Sequence, residues 1–306
     1  MTTFAKSASV LLTATLLSFS GAFAASGNSA DLLKYIPADT PYVFASTDPL
    51  PSDLADKIEP TIDGLLKSYQ QMLRYVVAEQ AAKISAEEGG ADRAEQFSGV
   101  AEEFLSLMSL DGIRGAGIER DTAFAFYGNG LLPVLRLELS DSGLFDSAIA
   151  KIEEKADEPL LIGEAGGKKY RYIDAEKIRV IIATLDEQAV ITIVPSEFDE
   201  SQVALALGLK KPAKSLKKSK EIARITKEYG FSDYFIGYID NERIAEIFTG
   251  NATDFDKELF SALGQELPQP TEVCAAEIMA TVSIAPRIVL GYSDVTAEQI
   301  NGALIV

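Results

Sequence analysis

The stretch Thr122-Ala123-Phe124-Ala125-Phe126-Tyr127-Gly128-Asn129-Gly130-Leu131-Leu132-Pro133-Val134-Leu135-Arg136-Leu137-Glu138-Leu139 decides the fold class. Phe124 and Phe126 alternate with alanines, Gly128-Asn129-Gly130 supplies a turn, and Leu135, Leu137 and Leu139 then alternate with Val134, Arg136 and Glu138. A period of two is the mark of a pleated strand, whose successive side chains point to opposite faces. The segment reads as a β-hairpin. Upstream the period is helical: Leu54, Ile58, Ile62, Leu65, Tyr69, Met72 and Val76 recur at three-to-four spacing, and Phe97, Val100, Phe104 and Leu107 repeat it beyond Glu87-Glu88-Gly89-Gly90. This predicts a helical hairpin over 54–109, with Pro60 in a first turn.

Downstream of the β-hairpin the pattern predicts a helix over 144–155, then strands at 169–173, 178–184 and 189–194, stopped by Pro195. Tyr170 and Tyr172, beside Lys168, Lys169 and Arg171, read either as the lining of a ligand groove or, preferred, as alternation in an exposed edge strand. A short helix follows over 201–209. The lysine-rich segment from Lys210 to Lys220 opens a further helix that ends at Tyr229-Gly230. Sheet and helix segments in this order predict an α+β protein, mainly antiparallel sheet layered with helices.

The order of elements then starts again. Asp233 to Asp240 mirrors Pro41 to Asp48, Arg287 to Tyr292 mirrors Ala123 to Gly128, and Gly302 to Val306 mirrors Leu132 to Leu139, with helices at 255–263 and 273–283 in place of the earlier hairpin. This predicts a tandem repeat with a first α+β copy over 25–212 and a second, partial copy over 213–306. On that reading the chain stops inside the second copy, and the apolar ending Ala303-Leu304-Ile305-Val306 agrees with an incomplete C-terminus.

Residues 1–24 read as a secretory signal peptide. Lys6 precedes an apolar run from Val10 to Phe19, and Ala22-Phe23-Ala24 is a small-x-small site cut between Ala24 and Ala25. The run is shorter than the roughly 20 residues that span a bilayer, and no later run is long enough, so no transmembrane segment is expected after the leader is removed. The expected location is periplasmic or secreted, in a bacterium.

Composition narrows the chemistry. Lys plus Arg number 28 against 46 for Asp plus Glu, a net charge of −18 that disfavours nucleic acid. The chain has no histidine and no tryptophan. Ser-His-Asp and Cys-His hydrolases and His-ligated metal sites are thereby excluded, leaving carboxylate pairs, lysine nucleophiles, Ser-Lys dyads and carboxylate-bound calcium or magnesium. No motif gathers such groups, so no catalytic residue, cofactor or metal ligand is assigned.

The remaining motifs have plainer readings. Gly112, Gly115 and Gly117 superficially suggest a phosphate loop, but they follow a helix and precede a strand, the reverse of the order that aims backbone N–H groups at a phosphate, and so mark a helix stop. Gly166-Gly167-Lys168-Lys169 reads as a turn. Asp254, Asp256 and Glu258 alternate like calcium ligands but lack the glycine and distal glutamate of such a loop, and helix-start acidity accounts for them. Asn251-Ala252-Thr253 is a formal glycosylation acceptor that a bacterial chain leaves bare. Lys210, Lys211, Lys214, Lys217, Lys218 and Lys220 form the dense basic run. They read either as a partner-facing basic helix, with Ile222 and Ile225 as an apolar stripe toward an anionic surface, or, preferred, as a solvated linker whose cations meet the protein's own carboxylates. Cys274, the single cysteine, sits at the start of an amphipathic pattern and is expected to be buried; the other reading pairs it in a disulfide with sequence outside this chain.

The leader, the Ile36-Pro37-Ala38-Asp39-Thr40-Pro41 opening and Tyr229-Gly230 followed by Tyr234 to Asp240 loosely resemble bacterial secreted proteins catalogued as domains of unknown function. The resemblance implies an envelope setting and carries no catalytic residues. The function expected is non-enzymatic binding or envelope maintenance, with an envelope protein or glycan as partner. The alternative is a carboxylate-dependent glycan hydrolase.

Overall fold

The computed structural model describes residues 29–306 apart from 47, 50, 88, 157, 158, 176, 233, 297 and 298; the leader and its cleavage site at Ala24 and Ala25 lie outside the described residues. Strand β1 (Tyr42–Ser46) is the short aromatic and β-branched run before Asp48-Pro49. Helices α1 (Ser52–Ser85) and α2 (Gly90–Ser106) form the expected helical hairpin, and the six-residue α3 (Leu110–Gly115) follows. The hairpin breaks at two glycines for different reasons: Gly89 sits at a left-handed φ of 66°, and a Cβ on Gly90 would sit 1.8 Å from the Ile84 carbonyl oxygen. Pro60 lies inside α1 rather than in its first turn, since α1 already begins at Ser52, and its missing N–H costs the helix one bond.

The hairpin read at Phe124 is β2 (Phe124–Asn129) and β3 (Leu132–Glu138), with Phe124 opposite Leu137 and Asn129 opposite Leu132. Helix α4 (Ser142–Ala156) leads to β4 (Leu161–Ala165), β5 (Lys168–Ala175), β6 (Ile178–Leu185) and β7 (Gln188–Pro195). Next come α5 (Glu200–Ala206), α6 (Leu216–Ser219), α7 (Glu221–Tyr229) and β8 (Phe235–Asp240). Helix α8 (Asn241–Glu246) runs into a π-type turn at Ile247–Asn251 and is followed by α9 (Asp254–Ala262), α10 (Glu272–Val282), β9 (Arg287–Val295) and β10 (Ile300–Ile305). The ten strands make one sheet in the order β10-β9-β8-β1-β2-β3-β7-β6-β5-β4, every neighbouring pair antiparallel. The architecture is α+β, as the alternation in the hairpin and the helical spacing before it predict.

Two local expectations are corrected. Strand β4 was not legible, because Leu161-Ile162-Gly163-Glu164-Ala165 has no clean alternation, yet it pairs outside β5 with Gly163 opposite Tyr170. Strand β5 is therefore interior and Tyr170 is buried, not an edge residue. Gly163 makes this fit: a Cβ there would meet the Tyr170 ring at 2.3 Å. The lysine-rich segment is also not one helix. Lys220 adopts a left-handed φ of 57° between α6 and α7, which breaks the segment in two.

Alternate positions of the strands feed two cores. Ala125, Tyr127, Leu132 and Val134 share one face with Val203 of α5, Leu216 of α6, Ile222 and Ile225 of α7 and Leu259 of α9. Phe124, Leu135 and Leu137 point the other way, onto Ile113 of α3 and Phe145 and Ile149 of α4. A third cluster, Leu73, Val77, Phe97, Ala101, Leu105 and Met108, holds the α1–α2 hairpin to itself. Each fully buried aliphatic or aromatic side chain here contributes about 1.5–3 kcal/mol of transfer free energy. Helix α10 takes no part, for none of its residues is buried.

Candidate functional site

Ion pairs first define how the second half is held. Glu221 at the start of α7 accepts hydrogen bonds from Arg224 and, across the fold, from Arg287 at the start of β9. Arg287 also donates to Asp240 Oδ2 at 2.6 Å and lies over the Tyr238 ring at 4.8 Å. One guanidinium thus ties α7 to the ends of β8 and β9. The hydrogen bonds from Arg224, then Arg287, hold the Glu221 carboxyl at about 2 against an ordinary 4.5, in spite of partial burial. Since this pKa is lower in the folded state, the unfolded chain takes up the extra proton first as pH falls. The clamp's stabilisation is complete above pH 4.5 and is lost as pH drops from there toward about 2. Urea unfolding across this range should show the loss in the native chain and a flatter profile in Glu221→Gln. Identical profiles would mean that the clamp does not form.

A cavity of about 150 Å³ lies between the β2–β3 turn and the α8–α9 region, lined among others by Asp39, Asn129, Gly130, Arg243, Glu246 and Asp256. It brings three carboxylates and one guanidinium to a single concavity. Asp256 is 1% exposed, and its Oδ2 accepts from the Thr253 N–H and hydroxyl, completing the capping box of α9. Its Oδ1 has no donor among the described residues and points at Gly130, where a Cβ would come within 2.4 Å. The alternating acids go separate ways: Asp254 pairs with Lys257, and Glu258 accepts from Gln202. They are helix-start residues, as the sequence reading preferred.

Arg136 is a residue that the sequence reading passed over. Its guanidinium is buried, donates to Gln188 Oε1 at 2.7 Å and to the Leu207 carbonyl at 2.6 Å, and stacks 4.0 Å from the centre of the Tyr35 ring. A charge set between Leu135 and Leu137 in an apolar strand was the available signal. Gly112 lies in the first turn of α3 and donates to the Ser109 cap, so it opens a helix where a stop was expected; Gly115 ends α3, and Gly117, at a φ of 73°, leads toward β2. Gly166 and Gly167, both at positive φ, form the tight turn between β4 and β5.

The basic run lies in the segment leading into α6 and at α6 itself. Lys210, Lys211, Lys214, Lys217, Lys218 and Lys220 are all exposed. The expected neutralisation by the protein's own carboxylates does not occur for most of them: among the described residues Lys210, Lys211, Lys214, Lys218 and Lys220 form no ion pair. The acids nearest in sequence, Glu221 and Glu228, are taken by Arg224. Ile222 and Ile225, read as a stripe free to meet a surface, are buried in the core.

The opposite end of the sheet is open. Strand β10 is an edge, and Ile300 and Leu304 are exposed on it, Leu304 to 63%. On α10, Val273 is 67% exposed and Ile278 is exposed as well. Cys274 is a free, exposed thiol in the first turn of α10, correcting the expectation that it is buried. The expectation failed because α10 packs no face into the core. Helix α1 carries a further exposed apolar stripe at Leu65, Met72, Tyr75 and Val76. Among the described residues no helix is long and apolar enough to cross a membrane.

No protein-family model, curated protein or solved structure matches the chain.

Proposed function

We propose that the chain is a non-catalytic binding protein of the bacterial envelope, exported through its leader, which takes a polypeptide partner by strand addition at β10, with the exposed apolar residues of α10 as a second contact. The observation that carries this reading is that β10 has no strand on its outer side among the described residues, while α10 leaves Val273 and Ile278 exposed. Such an edge is a template for another strand, and proteins that do not use one usually block it with charge or proline. Ile300-Asn301-Gly302-Ala303-Leu304-Ile305 contains neither.

The strand order supports a duplication as the origin of this open site. Strands β1 and β8 pair at the middle with Phe44 opposite Gly237, and outward from them run β2 then β3 on one side and β9 then β10 on the other. In the first half β7 covers the outer edge of β3, and α4 packs against α2. Strand β10 has no such outer neighbour among the described residues, and α10 packs on α8 alone among the helices it is shown to touch. The partner's chemistry follows: an uncharged, β-branched strand antiparallel to β10, joined to an apolar helical face.

A peptide copying Gln188–Pro195, the strand that fills the equivalent edge of β3, with glycine–serine tails, probes this directly. Fluorescence anisotropy should show saturable binding to the native chain and a loss of at least about tenfold in Leu304→Lys, which places a charge in the new strand's path. Binding that is absent, or indifferent to Leu304→Lys, would remove the reading.

The second reading, a carboxylate-dependent glycan hydrolase, draws on the convergence of Asp39, Glu246 and Asp256 at one cavity. It requires that Glu246→Gln abolish release of soluble fragments from purified cell-wall glycan. Retained release in that variant, or none from the native chain, counts against it.

A further inference from the structure

The basic run carries an inference independent of the strand-addition reading. We propose that the surface formed by Lys210, Lys211, Lys214, Lys217, Lys218 and Lys220 docks the protein on the anionic headgroups of a phospholipid bilayer, by charge alone and without insertion. Three observations support it. The first is that five of these lysines remain without an ion pair among the described residues, in a chain that carries 46 carboxylates. Surface lysines surrounded by acids ordinarily find them, so a cluster that does not is a concentrated positive field in an otherwise negative molecule.

The second is the choice of cation. All six are lysine, a compact and strongly hydrated point charge, whereas stereospecific docking of a carboxylate or phosphate on one partner favours the planar fork of arginine. The arginine nearby, Arg224, is held by Glu221 and Glu228. A flexible lysine cluster suits a dense, laterally mobile array of negative headgroups, each lysine near the surface strengthening adsorption roughly fivefold.

The third is the fate of the apolar residues. Leu216, Ile222 and Ile225 face the core, so α6 and α7 have no apolar stripe left to sink between acyl chains. Contact is therefore electrostatic and confined to about 10 Å at 0.1 M salt. The chain as a whole carries a net −18 and is repelled by the same lipid, which leaves this face as the one that can approach. The protein would then lie with α6 and α7 toward the bilayer and the helices on the other side of the sheet, α3 and α4, away from it.

The test is co-sedimentation of the purified chain with phosphatidylcholine vesicles and with phosphatidylcholine–phosphatidylglycerol vesicles across a salt series. Binding is expected to the anionic vesicles only and to weaken as salt rises. The triple variant Lys211→Gln, Lys214→Gln, Lys218→Gln should lower the partition coefficient about 100-fold, while Lys151→Gln, Lys155→Gln, Lys169→Gln, which removes equal charge elsewhere, leaves the larger part of it intact. Equal binding to both vesicle types, no binding at the lowest salt, or equal loss in the two triple variants would overturn the proposal. So would binding of poly-glutamate by a chain that ignores vesicles, which would assign the surface to an acidic polypeptide instead.

Discussion

Arg136→Ala is expected to destabilise the fold by about 3–5 kcal/mol, read as a lower urea midpoint at an unchanged slope. The side chain is 1% exposed, and no carboxylate lies within ion-pair reach among the described residues. Its energy comes from elsewhere. The guanidinium satisfies Gln188 and the Leu207 carbonyl and packs on Tyr35, and its Nη2 fills the space beside Gly208, where a Cβ would come within 2.6 Å. Alanine removes these at once: it opens a void and leaves a buried carbonyl without its donor. Arg136→Met separates the causes. Methionine refills much of the volume and removes an ion that is expensive to keep dry, so its cost should stay within about 1.5 kcal/mol. A methionine variant as unstable as the alanine one would mean that the hydrogen bonds, not the packing, dominate.

Gly117→Ala should cost about 2–4 kcal/mol, whereas Gly115→Ala two residues earlier should be neutral or stabilising by up to about 1 kcal/mol. Gly117 has a φ of 73°, and a Cβ there would lie 2.2 Å from the Asp141 carbonyl oxygen. Backbone cannot swing aside as a flexible side chain can. The Gly117 carbonyl also accepts from both the N–H and the hydroxyl of Ser140, which fixes the approach of the segment before α4. Gly115 meets nothing within 4 Å and ends a helix, where alanine is the better former. The pair is measured by thermal or urea unfolding. Similar effects at both positions would contradict the account that Gly117 is sterically required and Gly115 is not.

These two cases show what the sequence could and could not disclose. Helical spacing reveals the α1–α2 hairpin, and β2, β3, β6 and β7 stand out as apolar and β-branched runs because both faces of the sheet are covered there. Strand β4 escaped, since its residues are mostly exposed and its one decisive feature, the space left by Gly163 for Tyr170, depends on a partner strand. Cys274 was misjudged for the converse reason. The pattern of α10 is apolar enough for burial, and nothing local says whether another element covers it. The lysine run was visible as composition, but the lack of ion pairs at Lys210, Lys211, Lys214, Lys218 and Lys220 among the described residues was not, and the acids nearest in sequence, Glu221 and Glu228, are held by Arg224. Contacts between distant segments, such as Arg287 with Glu221 and Asp240, leave only a faint trace, a charge at the mouth of a strand.

The central claim is that β10 and α10 form the binding surface, and site-specific photocrosslinking in intact cells of the native host tests it most directly. A photoreactive residue is placed singly at Leu304, Val273, Tyr75 and Leu161, the last on the edge strand β4 at the far end of the sheet. The account predicts a discrete crosslinked polypeptide from Leu304 and Val273 and none from Leu161, with the Val273 product lost when Leu304→Lys is combined with it. Crosslinks that arise only from Tyr75 or Leu161, or a Val273 product indifferent to Leu304→Lys, would contradict it and place the binding surface elsewhere on the molecule.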